Sequence, residues 1–584
     1  MNEHILVSVA WPYANSPLHL GQVAGAYLPP DIFARYHRLR GNHVLMVSGA
    51  DTHGTPITVT AEREGVEPEV VIERYHRSFI ESFIGLGITF DLFTHTNTAN
   101  HWEITTDFFV RLLDQGYIYK EAMKALYCED CERFLADRYV EGRCPFCGFE
   151  DARGDQCDNC GKPLDALELI EPRCKFCNHS PVVRETEHFF LDLAQFNEPL
   201  QAWIGDKTYW RPSVRSFSVN LLNEGLRGRA ITRDINWGIP VPLPGYDDKR
   251  IYVWFDAVIG YLSASVEWAK NRGEPDLWRN WWDLDKPSRS YYFIGKDNIF
   301  FHTLIWPAML MGYGGRQLPY DVPANEFLTL EGRKISSSRN WAVWAPDYLS
   351  RHDPDPLRYY LTAQAPEAAD GDFSWQEYLD RNNNELVGTW GNLAHRMLTY
   401  AFKNFEGQVP APGELTDLDR ELQATITAAF DEVGADIEGC RFRLALSKAI
   451  AAAREANRYL DAAAPWKIIK SDRQRAATAT YVALWAIDSL KTLLLPFLPF
   501  SSQRLHTYLG YTDDLFGQQE VVTYSEGEQT HLGLTYHYAP QGDGWRPSRL
   551  APGQALVTPK PLFAKLDPEM VEEELARLGQ SRQA

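Results

Sequence analysis

Along its first hundred residues the chain alternates short apolar runs with longer stretches of helical period. Ile5 to Ala10 is apolar at every position but Ser8, the pattern of a strand buried on both faces, and His43 to Gly49 repeats it. An amphipathic stretch through Arg40 lies between them. Strand, helix and strand at these lengths predict a parallel, doubly wound sheet, whose ligands collect where strands end at their C-terminal side. Tyr13 and Asp51 occupy two such ends. The rhythm resumes later, with Ile251 to Phe255, Tyr291 to Ile294 and Phe327 to Leu330 expected as strands.

Beyond Trp375 the pattern turns helical. Leu386, Trp390, Leu393, Met397 and Tyr400 fall at spacings of four, three, four and three, and Phe442, Leu446, Ile450, Ala453 and Leu460 form a second stripe. A third helix is expected from Ala476 to Leu495, stopped by Pro496 and Pro499. These stripes read as core packing. From about Gly510 glycine and proline become frequent, and the chain is expected to wrap back over the globule.

At 584 residues, with 45% hydrophobic side chains and 18 Trp, the chain is too long for one core and apolar enough to fold as several domains. A formal net charge of −20 argues against non-specific binding of nucleic acid unless basic residues are grouped. They are grouped between Arg441 and Arg475, where nine Lys or Arg face three acids. That stretch is either a solvated helix face or a nucleic-acid contact. No run approaches the length of a membrane span and no apolar stretch follows a basic region near the N-terminus, so a cytoplasmic protein without a membrane partner is expected.

Eight of the nine cysteines lie in CxxC pairs, Cys128 with Cys131, Cys144 with Cys147, Cys157 with Cys160 and Cys174 with Cys177. Such knuckles make tetrahedral thiolate cages, so four pairs suit one or two structural zinc ions. A nine-residue loop separates the middle pairs and can close one cage, which predicts nesting. Cys144, Cys147, Cys157 and Cys160 then lie inside, and Cys128, Cys131, Cys174 and Cys177 outside. Gly148 and Gly161, directly after two knuckles, permit the tight turn required there. A redox role would need an exposed thiolate at a helix start, whereas these pairs sit among Asp, Asn and Gly turns. Cys440 stands alone and reads as a packing residue.

Two separated segments carry phosphate chemistry. His19-Leu20-Gly21-Gln22 follows the first strand, with Ser16 expected as N-cap and Pro17 as the first helical residue, so that His19 falls in the first turn. Free N–H groups there attract phosphate, the imidazole can donate to it, and Gly21 lets a base or ribose approach. Lys334-Ile335-Ser336-Ser337-Ser338 offers a cation and hydroxyls from a loop after the strand-like Phe327 to Leu330. Alone, the first is an ordinary cap and the second a solvated basic loop. Together, in this order and each beside a strand end, they resemble the two signatures of class I aminoacyl-tRNA synthetases. That family activates an amino acid with ATP and passes it to tRNA. Gln22 stands where the family has a second His and Ser337 where it has a second Lys. Both can donate a hydrogen bond without charge, which throws weight on Lys334 and Arg333.

Within that class, Ala10-Trp11-Pro12-Tyr13-Ala14-Asn15, Tyr252-Val253-Trp254-Phe255-Asp256-Ala257, Gly295-Lys296-Asp297-Asn298-Ile299-Phe300-Phe301-His302 and Ala464-Pro465-Trp466 together resemble the methionyl-tRNA synthetase family. The resemblance implies an α/β fold, a Rossmann-like doubly wound parallel sheet with a zinc-binding insertion, followed by an α-helical anticodon-binding bundle. It places the two halves of the catalytic domain at 1–119 and 186–325 and the zinc insertion at 120–185. A stem-contact segment is placed at 326–384, the helical domain at 385–510 and a returning segment at 511–584. It implies that Tyr13, Trp254, Ala257, Tyr261 and His302 line the methionine side chain, with Asp51 on its ammonium group. Trp11, Val258 and Asn298 stand in the same pocket where some bacterial relatives have leucine, proline and an aliphatic residue. A thioether hardly hydrogen-bonds, so its selection calls for a shaped aromatic pocket with sulfur–ring contacts, to which Tyr261 and His302 add a weak polar handle.

The same resemblance assigns ATP to His19, Gly21, Gln22, Gly295, Asp297, Leu328, Lys334 and Ser337, with Mg accompanying it. His19 and Lys334 are the implied catalytic groups, with Arg233 at the rim. Asn392 and Arg396, i,i+4 neighbours, and Trp466 match positions that read the methionine anticodon. The implied activity is methionine–tRNA ligation for initiation and elongation, by a monomer acting on L-methionine, ATP and tRNA(Met), with no editing-sized insertion. Two rival readings remain at this point: another class I synthetase, or a non-catalytic tRNA-binding scaffold that Gln22 and Ser337 keep open. Amino-acid-dependent pyrophosphate exchange separates all three.

Overall fold

The structure, a computed structural model, describes residues 2–154, 157, 159–160, 164–337, 339–538 and 544–580. Its centre is a seven-stranded sheet of β1 (His4–Val9), β2 (His43–Ala50), β3 (Leu92–His95), β4 (Ser288–Gly295), β5 (Ala324–Asn325), β6 (Gln518–Glu526) and β7 (Gln529–His537), in the order β5-β4-β1-β2-β3-β7-β6. Strands β1 to β5 are parallel, while β7 pairs antiparallel with β3 and with β6. Alternate β1 side chains enter separate cores: Ile5, Val7 and Val9 on one face, Leu6 on the other. With β2 on one side and β4 on the other, β1 marks the point where strand order reverses, and a crevice opens beyond its C-terminal end.

Two sequence expectations need correction. Only Arg250–Ile251 of the run to Phe255 is strand, and Val253–Asn271 is a helix. The run is apolar because this helix is buried from its first turn, at Val253, Phe255 and Val258. Five apolar residues do not distinguish a buried strand from a buried helix. Ser16 and Pro17 do not open the first helix. The carbonyl of Leu18 accepts from the Ala345 N–H (2.8 Å), which holds this stretch extended, and His19 becomes the cap of Leu20–Gln22. The helix then continues through a π turn, Val23–Tyr27, into Leu28–Leu39.

The C-terminal segment extends the catalytic sheet. Within it, the β6–β7 hairpin joins the edge of the sheet beside β3. Buried His531 on β7 pairs with Glu267 of the Val253–Asn271 helix (2.9 Å), and Glu267 raises the His531 pKa despite the opposing effect of burial. His76 Nε2–H donates to the Leu532 carbonyl (2.8 Å).

An antiparallel ribbon, Ile118–Cys128 with Val182–Leu191, projects from the sheet and carries the cysteine knuckles. Beyond the sheet, helices Asn392–Asn404, Asp417–Glu438, Phe442–Ala463 and Arg473–Leu494 share one continuous core with β1. Leu386, Trp390, Leu393 and Met397 are buried in it, although the backbone from Asn382 to Gly391 runs as a π-helix. Cys440 is buried at the turn between two of these helices. Arg358, only 1% exposed, ties the parts together: its guanidinium donates to Asp31 (2.7 Å) and to the carbonyls of Leu86, Pro496 and Phe497. Removing one partner of such a buried pair costs about 3–5 kcal/mol. Among the described residues no helix is long and apolar enough to cross a membrane.

Candidate active site and thiolate cages

The two phosphate segments meet at the exit of β1. His19 Nδ1 accepts from the Gln22 N–H (3.3 Å), while Gln22 Oε1 accepts from the His19 N–H (3.0 Å), a reciprocal capping box. Gln22 therefore orients His19, a role its place in the sequence did not disclose. Burial lowers the His19 pKa to about 4, so the ring is neutral at pH 7. With Nδ1 accepting, its proton sits on Nε2 as an uncharged donor.

The Lys334 segment is strapped to this helix start. His19 and Trp344 form an antiparallel bridge, and the Leu20 N–H donates to the Val343 carbonyl (3.0 Å). A Cβ on Gly21 would lie 2.9 Å from Ile335 Cδ1, so the glycine admits the loop itself. Lys334 is exposed on the short strand Arg333–Lys334, opposite Thr329, and Arg333 lies over the Trp341 ring (4.8 Å). Ser337 is exposed at the following turn, and Leu328 is buried on the partner strand. Ser338 lies outside the described residues, as does Gly161. At the end of β4 a Cβ on Gly295 would meet Asp297 Oδ1 at 2.7 Å, so the carboxylate folds back over the strand end.

Beside this lies a cluster of aromatic side chains, with Trp11 edge-on to Tyr261 (6.4 Å) and Trp254 edge-on to Phe301 (4.4 Å). Tyr13 and Asp51 bridge the extensions of β1 and β2, and Trp254 Nε1–H donates to the Tyr13 hydroxyl. Asp51 is 3% exposed, and burial followed by the nearby Asp256 pushes its pKa well above the carboxylate range. A bound cation would relieve that destabilisation. Tyr261 donates to His302 Nε2 (2.7 Å), and His302 Nδ1–H donates to the Asn298 carbonyl (2.9 Å). Burial lowers His302 to about 4 and raises Tyr261, so both are neutral. Their hydrogen-bonding power is largely spent on each other, which leaves a polarisable wall suited to sulfur. Asn298 turns its amide toward Asp297 (3.4 Å). Ala257, the fifth residue of its helix, is partly exposed, while Val258 is buried. Arg233 lies over the Tyr252 ring (3.8 Å) and donates to the Ala230 and Thr232 carbonyls, at the rim.

Several contributors escaped the sequence reading. Gly49 and Gly260 make room for Trp11: a Cβ would fall 2.3 Å from its Cζ3 at the first and 2.6 Å from its Cζ2 at the second. Buried His53 and Asp256 (2.8 Å) join the exit of β2 to the helix carrying Trp254 and Tyr261, with His53 lowered to about 3 by burial. The available signals were a lone acid inside the apolar Tyr252–Val258 run and a polar Thr-His pair directly after Asp51.

The eight knuckle thiols form two groups, Cys128, Cys131, Cys174 and Cys177 in one and Cys144, Cys147, Cys157 and Cys160 in the other, with the sulfurs of each within 4.8 Å of one another. Sulfur separations are 3.4 Å for Cys128–Cys177, 3.8 Å for Cys131–Cys174, 3.9 Å for Cys144–Cys160 and 3.6 Å for Cys147–Cys157. Thiolates placed tetrahedrally at ~2.3 Å from zinc stand about 3.8 Å apart, while a disulfide needs about 2.05 Å. The donor sets thus fit zinc in the nested arrangement. Gly148 has a φ of +72°, as the knuckle turn requires.

At the far end of the helical domain Trp466 is 37% exposed, and Arg396 stacks over its ring (5.3 Å), one turn from the exposed Asn392. Much of the basic excess here is paired, Arg441 and Lys448 with Asp436, Arg454 with Glu385 and Arg475 with Asp419. Lys467 and Lys470, beside Trp466, are exposed.

A parallel sheet with a capped His-Leu-Gly-Gln turn at its switch point, strapped to a Lys-Ile-Ser-Ser loop, defines a class I aminoacyl-tRNA synthetase. The family model for class I tRNA synthetases (M) matches residues 5–398, and that for the anticodon binding domain of methionyl tRNA ligase matches 409–531. The chain is 57% identical to the methionine–tRNA ligase of Roseiflexus castenholzii, covering 99% of both chains, and 56% identical to that of Thermomicrobium roseum over the whole of both. Among solved structures it resembles Mycobacterium tuberculosis methionyl-tRNA synthetase bound by methionyl-adenylate, with a TM-score of 0.75 and 25% identity, covering 97% of this chain and 100% of that one. The chain belongs to the methionine–tRNA ligase family.

Proposed function

We propose that this chain joins L-methionine to ATP and passes the methionyl group to tRNA(Met), serving initiation and elongation alike. The observation that carries this reading is Asp51, buried without a cationic partner among the described residues and bridged to Tyr13 at the ends of β1 and β2, on the same strand-exit side as the His19 turn that the Lys334 segment straps. Asp51 holds the substrate ammonium. Trp11, Tyr13, Trp254, Ala257, Val258, Tyr261, Asn298 and His302 enclose the thioether. The methionine carboxylate then attacks the ATP α-phosphorus, the bond to the bridging oxygen of the β-phosphate breaks, and diphosphate leaves; Mg accompanying ATP would offset part of its charge.

Neutral His19 donates through Nε2, and Lys334 and Ser337 stabilise the charge moving onto the leaving diphosphate. Gly21, Gln22, Gly295, Asp297 and Leu328 shape the nucleotide site, and Arg233 guards its rim. In the second step a terminal hydroxyl of tRNA displaces AMP. No side chain becomes covalently attached, because positioning and electrostatics suffice. Asn392, Arg396 and Trp466 read the anticodon, the knuckles hold structural zinc, and the protein acts as a cytoplasmic monomer. Pyrophosphate exchange across the twenty amino acids tests the reading. Methionine alone should support exchange, and exchange with a different amino acid, or with none, overturns it.

A further inference from the structure

The helix Glu569–Arg577 returns to the catalytic face and fastens beside the Lys334 loop. Its buried Glu574 accepts from Arg351 Nε (2.9 Å) and Nη2 (2.8 Å) and from His352 Nε2 (2.9 Å). The residues that follow reach the loop itself. The Gly579 N–H donates to the Asn340 carbonyl (3.1 Å), and the Asn340 side-chain amide donates to the Gln580 carbonyl.

Asn340 is the hub of this corner. It holds a left-handed backbone, φ +49°, and its N–H closes the loop turn on the Ser337 carbonyl (3.2 Å). Its Oδ1 accepts from Trp344 Nε1–H (2.8 Å), the residue that bridges to His19. Next to it, Trp341 donates to the Leu330 carbonyl (3.1 Å) and carries Arg333 on its ring. Lys334 and Ser337 are exposed, while Ile335 between them packs toward Gly21 and Ser336 exchanges two backbone hydrogen bonds with Trp341 (2.9 and 3.0 Å). The two exposed side chains are thus held only through the loop backbone, and the hydrogen bonds at its base, Ser336 with Trp341 and Asn340 with Ser337, contribute the order that a phosphate contact needs.

We propose that Asn340, clamped by Gly579 and Gln580, is a positioning residue for the ATP-phosphate loop, and that the segment after Arg577 thereby contributes to methionine activation. This rests on the reading of Lys334 as a phosphate contact. Gly579 has a φ of +75°, and a Cβ there would meet only Trp341 Cε3, at an ordinary 3.8 Å. Substitution therefore acts through the backbone: Gly579→Val cannot comfortably hold this conformation, whereas Gly579→Asn can.

In the full chain, Gly579→Val should lower kcat/KM for ATP in pyrophosphate exchange by about 3- to 10-fold, the effect of a lost neutral hydrogen bond. The KM for methionine should stay within about twofold, and Gly579→Asn should behave as the unaltered protein, because backbone conformation alone separates the two variants. Asn340→Gly keeps the left-handed backbone, should reproduce the loss, and should add little when combined with Gly579→Val. The proposal is overturned if Gly579→Val is silent, if Val and Asn are equally damaging, or if the methionine KM rises in step. Lys334→Ala in the same assay separates the two levels: if it is silent, the loop reading fails; if it is severe while Gly579→Val is silent, only the tail inference fails.

Discussion

Gly260→Ala tests whether Trp11 is a wall of the methionine pocket. The added Cβ would stand 2.6, 2.7 and 3.1 Å from Trp11 Cζ2, Cε2 and Cη2. Carbon atoms prefer ~3.5–4.0 Å, so the indole must shift by about 1 Å. It cannot retreat toward β2, where the missing Cβ of Gly49 already marks a point 2.3 Å from Cζ3. No hydrogen bond resists displacement, since buried Trp11 Nε1 has no partner. If Trp11 lines the methionine site as proposed, the displaced ring narrows the space left for the thioether. Overpacking of this size costs about 1–3 kcal/mol, which predicts a methionine KM raised about 5- to 150-fold. The KM for ATP should not change, because the Lys334 loop and Gly295 lie outside the clash. Pyrophosphate exchange at varied methionine, with thermal midpoints alongside, reads the effect. Adding Trp11→Leu to Gly260→Ala should recover part of the lost affinity. A methionine KM within about twofold of the unaltered protein in a well-folded Gly260→Ala variant would refute the reasoning, since strain of that size cannot be hidden.

Lys334→Ala should cost ~3–4 kcal/mol of transition-state stabilisation in pyrophosphate exchange and Ser337→Ala only ~0.5–1.5 kcal/mol, and the reverse order would invalidate these roles. Trp466→Ala should weaken tRNA charging by ~1–3 kcal/mol while leaving methionine activation intact, whereas equal loss in both assays would make Trp466 a packing residue. Metal analysis should find two zinc ions per chain, consistent with the two thiol groups, and Cys144→Ser should release only the inner one; loss of both would show that the cages are not independent. Burial raises the Glu574 pKa, but His352 and Arg351 bring it from 4.5 down to about 2. A depressed carboxylate stabilises above its unfolded pKa and loses that contribution as pH falls through the folded value. Docking of the terminal helix should therefore weaken between pH 4.5 and 2. Hydrogen exchange of residues 569–580 reads this, and an unchanged pH profile in Glu574→Gln would exclude the carboxylate as the cause.

Buried strands β1 and β2, the amphipathic helices beyond Trp375 and the pairing of eight thiols were legible in the chain because each depends on residues close in sequence. Apolar runs, helical period and short cysteine spacings act over a few positions, and local pattern reports them directly. The motifs at His19 and Lys334 were also visible, each within a single turn or loop. Tertiary structure alone decided which local option won. His19 became a cap because Ala345, distant in sequence, took the Leu18 carbonyl. Tyr252–Phe255 turned into a helix start, with Val253 and Phe255 buried in the fold and Tyr252 and Trp254 half-buried. Strands β6 and β7 exist because β3 offered an unpaired edge. Gly49 and Gly260 matter only once Trp11 lies against both, and Asn340 only once Gly579 and Gln580 arrive beside it. Contacts of that separation leave no periodic trace, because what selects them is the shape and hydrogen-bonding need of the partner surface.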